Sequence, residues 1–140
     1  MGGCVDVYHY DPATGRLDSL QRIAAHPDTA KGPATFAFRS ADIHLTPDGR
    51  FLYTSNRAER TIAIFAVDRE KGTLRVVGYQ PVLGKEPRNF MVDPTGNWLL
   101  AANQDSGEIV VFRLDRRTGL LKPLPTRIKV PAPTCLRMTP

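Results

Sequence analysis

The chain has 140 residues, 41% of them hydrophobic, and a formal net charge of +5 with an isoelectric point near 9.6, enough apolar material for a packed core of domain size. No apolar run approaches the roughly 18 residues of a membrane span, the first ten residues lack a signal-peptide pattern, and no block of five like charges marks a disordered nucleic-acid arm. The expectation is a soluble cytoplasmic protein with neither a membrane nor a nucleic-acid partner. Up to Phe38 there are three basic and four acidic residues, and from Arg39 onward sixteen and ten, so the positive excess lies downstream.

Residues 4–10 alternate Val5 and Val7 with polar neighbours and break at Asp11-Pro12-Ala13-Thr14-Gly15, a turn. Residues 16–23 read as a short edge strand, so 4–23 supply the outer half of a unit whose inner half is missing. Residues 24–38, with Pro27, Gly32 and Pro33, form a long loop of the kind that often borders a ligand site. In the next strand, 40–46, Ala41, Ile43 and Leu45 face one side and Asp42, His44 and Thr46 the other. Pro47-Asp48-Gly49-Arg50 is a type I or II turn in which Gly49 can take positive φ. Strands at 51–56, 61–67 and 74–79 follow, then a further set at 89–93, 98–103, 109–114 and 120–124.

The second set repeats the first. Pro47 falls on Pro94, Gly49 on Gly96, Asn56 on Asn103, Phe65 on Phe112 and Gly72 on Gly119, each with the same difference, 94 − 47 = 47. A period in the high forties built from short apolar runs and Gly or Pro turns predicts four-stranded propeller blades. The expected fold class is all-β, a partial β-propeller of about three blades. Its one domain covers residues 1–140: the outer half of a blade at 4–23, blades at about 40–79 and 88–124, and a closing inner strand at 134–139. Three blades do not close a ring, so the chain is either a fragment or associates with copies of itself through exposed blade edges.

No GxGxxG, P-loop, HExxH, CxxC or GxSxG signature is present, so any site must be assembled from scattered residues near the inner strands. The candidates are Arg39, Asp42, His44 and Arg88. Asp42 and His44 share a strand face about 7 Å apart, close enough for the carboxylate to orient the imidazole as a general base; the alternative is a hydrogen bond holding blade to blade. Arg39 and Arg88 either grip a phosphate or carboxylate or form salt bridges on the rim. Asn56 and Asn103 read as turn caps, and Trp98, Phe65 and Phe112 as packing between blades. Cys4 and Cys135 read as small buried strand residues in a reducing compartment.

The stretch Ala41-Asp42-Ile43-His44-Leu45-Thr46-Pro47-Asp48-Gly49-Arg50-Phe51-Leu52-Tyr53, followed by Glu86-Pro87-Arg88-Asn89-Phe90-Met91-Val92-Asp93-Pro94-Thr95-Gly96, resembles the propeller-type 6-phosphogluconolactonases, a family that also holds carboxymuconate-lactonising enzymes. The resemblance is to the C-terminal portion of these seven-bladed rings. It implies hydrolysis of 6-phospho-D-glucono-1,5-lactone to 6-phosphogluconate in the pentose phosphate pathway, with a small anionic sugar lactone as substrate and no nicotinamide, flavin or metal. Carried over residue by residue, it assigns Arg39, Asp42 and His44 to catalysis and Arg39 and Arg88 to substrate binding. It also implies that further catalytic groups belong to earlier blades, so that this chain alone is inactive. A non-catalytic propeller scaffold is the rival expectation.

Overall fold

Two tight corners one repeat apart set the plan of the computed structural model, which describes residues 3–27 and 39–138. In the first, the Thr46 hydroxyl donates to Asp48 Oδ1 (2.6 Å) and accepts the Phe51 amide (3.1 Å), while Gly49 reverses the chain at φ +68°. In the second, a buried carboxylate replaces the hydroxyl: Asp93 accepts the amides of Thr95 (3.0 Å), Asn97 (2.8 Å) and Trp98 (2.7 Å) and the Thr95 hydroxyl. Burial works to raise the Asp93 carboxyl, but these donors outweigh it and hold the group below its ordinary value.

From these corners the chain runs as three antiparallel sheets. A hairpin pairs β1 (Cys4–Tyr10) with β2 (Leu17–Ala24); the middle blade is β3 (Ser40–Leu45), β4 (Phe51–Asn56), β5 (Thr61–Asp68) and β6 (Thr73–Pro81); the third is β7 (Pro87–Val92), β8 (Trp98–Asn103), β9 (Glu108–Leu114) and β10 (Leu121–Lys129). Strands follow one another across each blade in chain order, the arrangement the repeat predicts. Because side chains alternate along a strand, β4, β5 and β6 of the middle blade feed two apolar layers. Ala63, Phe65 and Leu74 pack with Val5 and Ala25 of the hairpin side, while Tyr53, Ile62 and Ile64 pack with Phe90, Leu99 and Val110 of the third blade. Phe65 and Phe112, equivalent in the repeat, are both fully buried.

Four expectations change. Trp98 is only half-buried, whereas its counterpart Phe51 is buried because the Gly119 turn lies over its ring. Cys4 and Cys135 are exposed thiols rather than buried strand residues. The strand expected at 120–124 continues to Lys129 through Pro123 and Pro125, which an outer edge strand tolerates because a missing N–H there breaks no second ladder. Residues 134–138 form no strand, since no neighbouring strand among the described residues pairs with them; a single bond from the Leu136 amide to Asn89 Oδ1 (2.7 Å) holds the segment against β7. Most of the long loop, 28–38, lies outside the described residues.

Candidate active site

β3 and β7, the inner strands of the two blades, begin at the same end and each carries an irregularity at its start. The β3 ladder shifts register between Ser40 and Ile43, and the β7 ladder between Pro87 and Asn89. Such a bulge bends the strand and re-aims a side chain. In β3 the residue concerned is Asp42, whose own amide turns aside to donate to Ser55 Oγ (3.1 Å).

The Asp42 carboxylate accepts hydrogen bonds from three groups and pairs with a fourth. Oδ1 takes the Ile43 amide (2.9 Å), Oδ2 takes Asn89 Nδ2 (2.5 Å) and the Phe90 amide (3.2 Å), and His44 Nε2 lies 3.1 Å from Oδ2. Two of these donors belong to β7, so Asp42 ties blade to blade and orients His44 in the same arrangement. The imidazole stands edge-on to Phe90, centroids 4.9 Å apart and planes at 78°. Its side chain is 37% exposed against 22% for Asp42, so the ring meets solvent while its carboxylate partner is half-buried.

Sequence reasoning missed Glu86, Arg57 and Asn89. Glu86 Oε1 receives Arg39 Nη2 (3.1 Å) and Arg57 Nη1 (3.0 Å), with side-chain exposures of 14% for Glu86, 15% for Arg57 and 47% for Arg39. The signal for Glu86 was in the repeat, since 86 − 39 = 47 makes Arg39 and Glu86 equivalent positions of adjacent blades. Arg39 is therefore engaged on the rim, while Arg88 is exposed and forms no ion pair with any described residue. Arg57 Nε, Glu59 Oε1 and Gln104 Oε1, in the turns at this same end, are buried without a hydrogen-bond partner among the described residues. Burial also pushes the Glu59 carboxyl up, with His26 opposing. Asn56 caps its turn as expected, accepting the Ala58 amide (3.2 Å) and donating to Glu59 (3.0 Å). Asn103 instead reaches the neighbouring loop, donating to the Val82 carbonyl (3.4 Å).

Two larger grooves lie at the opposite end and belong to blade packing. One, of about 710 Å³, is lined by Arg50, Phe51, Asp68, Arg69 and Arg75 and walled by Arg117 of the next blade. The other, of about 840 Å³, is lined by Asn97, Trp98, Asp115, Arg116 and Lys122, which are the same positions 47 residues on. Much of the positive excess of the repeats is thus at the turn end remote from Asp42 and His44. No group of His, Cys, Asp and Glu among the described residues has the geometry of a metal site, and no helix there is long and apolar enough to cross a membrane.

The 6-phosphogluconolactonase of Bacillus subtilis is 38% identical over 128 residues, covering 91% of this chain and 36% of its own length. That of Serratia proteamaculans is 39% identical over 93 residues, or 66% of this chain and 27% of its own. The solved structure of the periplasmic gluconolactonase of Pseudomonas aeruginosa superposes with a TM-score of 0.89 at 36% identity, over 97% of this chain and 36% of that one. The chain therefore spans about a third of the length of these relatives. The profile of the family described as "Lactonase, 7-bladed beta-propeller" matches residues 1–138, and the chain belongs to that family.

Proposed function

We propose that the chain supplies part of the active site of a sugar-lactone hydrolase that converts 6-phospho-D-glucono-1,5-lactone to 6-phosphogluconate. The observation that carries this reading is the Asp42–His44 pair on an inner strand, with Arg39 and Arg88 at the start of that strand and its neighbour. In the reaction the His44 imidazole takes a proton from water as its oxygen bonds to the lactone carbonyl carbon. The tetrahedral oxyanion is then steadied by a guanidinium. Collapse breaks the ring C–O bond and returns a proton to the departing alkoxide. Arg88, in no ion pair with any described residue, binds the substrate phosphate, and Arg39 reaches it by leaving Glu86. The setting assigned is the pentose phosphate pathway of the cytoplasm, although the Pseudomonas relative is named periplasmic.

The assay is lactone disappearance measured on the full-length protein against spontaneous hydrolysis; no acceleration over buffer refutes the reading. The 140 residues alone are expected to be inactive, because they span about 36% of the Bacillus relative and the remaining catalytic groups would come from other blades. Replacing Arg39 or Arg88 by Leu raises KM about tenfold or more, one charge-assisted hydrogen bond being worth about 1.5–3 kcal/mol. A carboxymuconate substrate would keep the same residues and exchange the phosphate for a carboxylate. The scaffold reading rests on the Asp42 bonds to β7, and it predicts no turnover of any lactone.

A further inference from the structure

We infer that Asn89 is a positioning residue that fixes the protons of the Asp42–His44 pair, so that the neutral imidazole carries its hydrogen on Nε2 and presents Nδ1 as its basic atom. The use made of Nδ1 rests on the hydrolase reading above; the proton positions do not.

The Leu136 amide can only donate, so the Asn89 side-chain atom 2.7 Å from it is the carbonyl Oδ1. The other end of that amide is then the NH2, and it donates to Asp42 Oδ2 at 2.5 Å. The Phe90 amide, equally fixed as a donor, reaches the same oxygen at 3.2 Å. With two obligatory donors on Oδ2 and the Ile43 amide on Oδ1 at 2.9 Å, neither oxygen has room for a proton directed at the ring. The ring nitrogen 3.1 Å from Oδ2 must therefore be the one that carries hydrogen, which is Nε2. A neutral imidazole has a single N–H, so its lone pair is on Nδ1. That atom has no hydrogen-bond partner among the described residues, and the ring is 37% exposed, so water reaches it. Without Asn89, one of the two cross-blade donors is lost and the Ile43 and Phe90 amides alone hold the carboxylate against the ring.

The test is nitrogen NMR of histidine-labelled full-length protein, reading the tautomer of the neutral His44 ring. The expected result is a protonated Nε2 and a pyridine-type Nδ1. Asn89→Leu removes the donor to Asp42 without setting a second carboxyl against it; it is expected to give mixed tautomers and a kcat lower by about tenfold or more at unchanged KM, part of the contribution of a positioned base. A wild-type ring protonated on Nδ1 overturns the inference without any variant, and so does an Asn89→Leu protein whose tautomer is unchanged. If His44→Gln leaves kcat intact, the hydrolase reading fails, and the tautomer still decides the role of Asn89.

Discussion

Asp42→Asn and His44→Gln separate the two roles that meet at one carboxylate. An amide at position 42 keeps an acceptor at only one of the two oxygen sites. Its better orientation leaves the carbonyl facing Asn89, Phe90 and His44 and turns the NH2 against the Ile43 amide, an opposed pair of donors. The three retained bonds fall from charge-assisted to neutral strength, about 1 kcal/mol each. With the side chain 22% exposed, screening reduces the total to about 2 kcal/mol. His44→Gln removes one bond from a side chain that is 37% exposed, and costs about 1 kcal/mol or less. Urea unfolding of the full-length variants measures these differences, and lactone hydrolysis on the same samples measures kcat. The expected outcome is a large stability loss for Asp42→Asn and, for His44→Gln, near-normal stability with kcat reduced by about a hundredfold. An Asp42→Asn protein within about 0.5 kcal/mol of wild type would refute the inter-blade role, that margin being the usual scatter of an inconsequential surface change.

Gly119→Ala should cost about 2–4 kcal/mol, because the backbone there is at φ +77° and the new methyl would meet the Phe51 ring; thermal unfolding reads it. Glu86→Gln strips the mostly buried Arg57 of its partner and is expected to cost about 2–3 kcal/mol in chemical denaturation, with Arg39 released at the same time. The Asp93 carboxyl lies below its ordinary 3.8 in the folded state, so its contribution is present above that value and is lost as pH falls through the lower folded value; the stability gap between wild type and Asp93→Asn should shrink across that acid range. Ile43 and Leu45 are 51% and 52% exposed on the face of β3 away from β7, and Tyr10 and Leu17 are 58% and 60% exposed on the hairpin. The 140-residue chain is therefore expected to self-associate, and light scattering of a stable monomer would count against this.

The blade plan was legible because its causes are local. Gly49 and Gly96 stand where the corner needs positive φ, and the alternation through Ile62, Ile64 and Phe65 assigns faces to strands without reference to anything distant. Element ends were less legible where a neighbour decides them, as at β10, whose extension past Pro123 depends on pairing with β9, and at 134–138, which would need a strand beside it. Trp98 and Phe51 show the same limit: one repeat position, two burials, set by whether a following turn lies on the ring. At the candidate site the Asp42–His44 spacing was visible along one strand, but the donors that complete it come from β7, 47 and 48 residues away. Arg57 gave no signal, since its partner Glu86 is near it only after two blades have packed.

The repeat itself shows which part of this site is structural. Positions 42, 89 and 135 are equivalent, since Pro87 and Pro94 recur as Pro133 and Pro140 (133 − 87 = 46), and they carry Asp, Asn and Cys. The link from one unit to the next is made twice, by Asp42 to the Phe90 amide and by Asn89 to the Leu136 amide, so a short polar side chain here is sufficient to join inner strands. Position 44 is His in the middle blade, but its equivalents 91 and 137 are Met and Arg. The third unit thus keeps its link with no imidazole beside it. An ionised group is not needed for that link either, since Asn89 makes it with a neutral amide. What the middle blade adds is a carboxylate together with a ring that the carboxylate holds, in a place where the symmetric scaffold would accept an amide and a thioether. A pair that departs from the repeat while the link persists without it is what the proposed catalytic use requires, and this is why His44→Gln, and not Asp42→Asn, is the variant in which activity and stability should part.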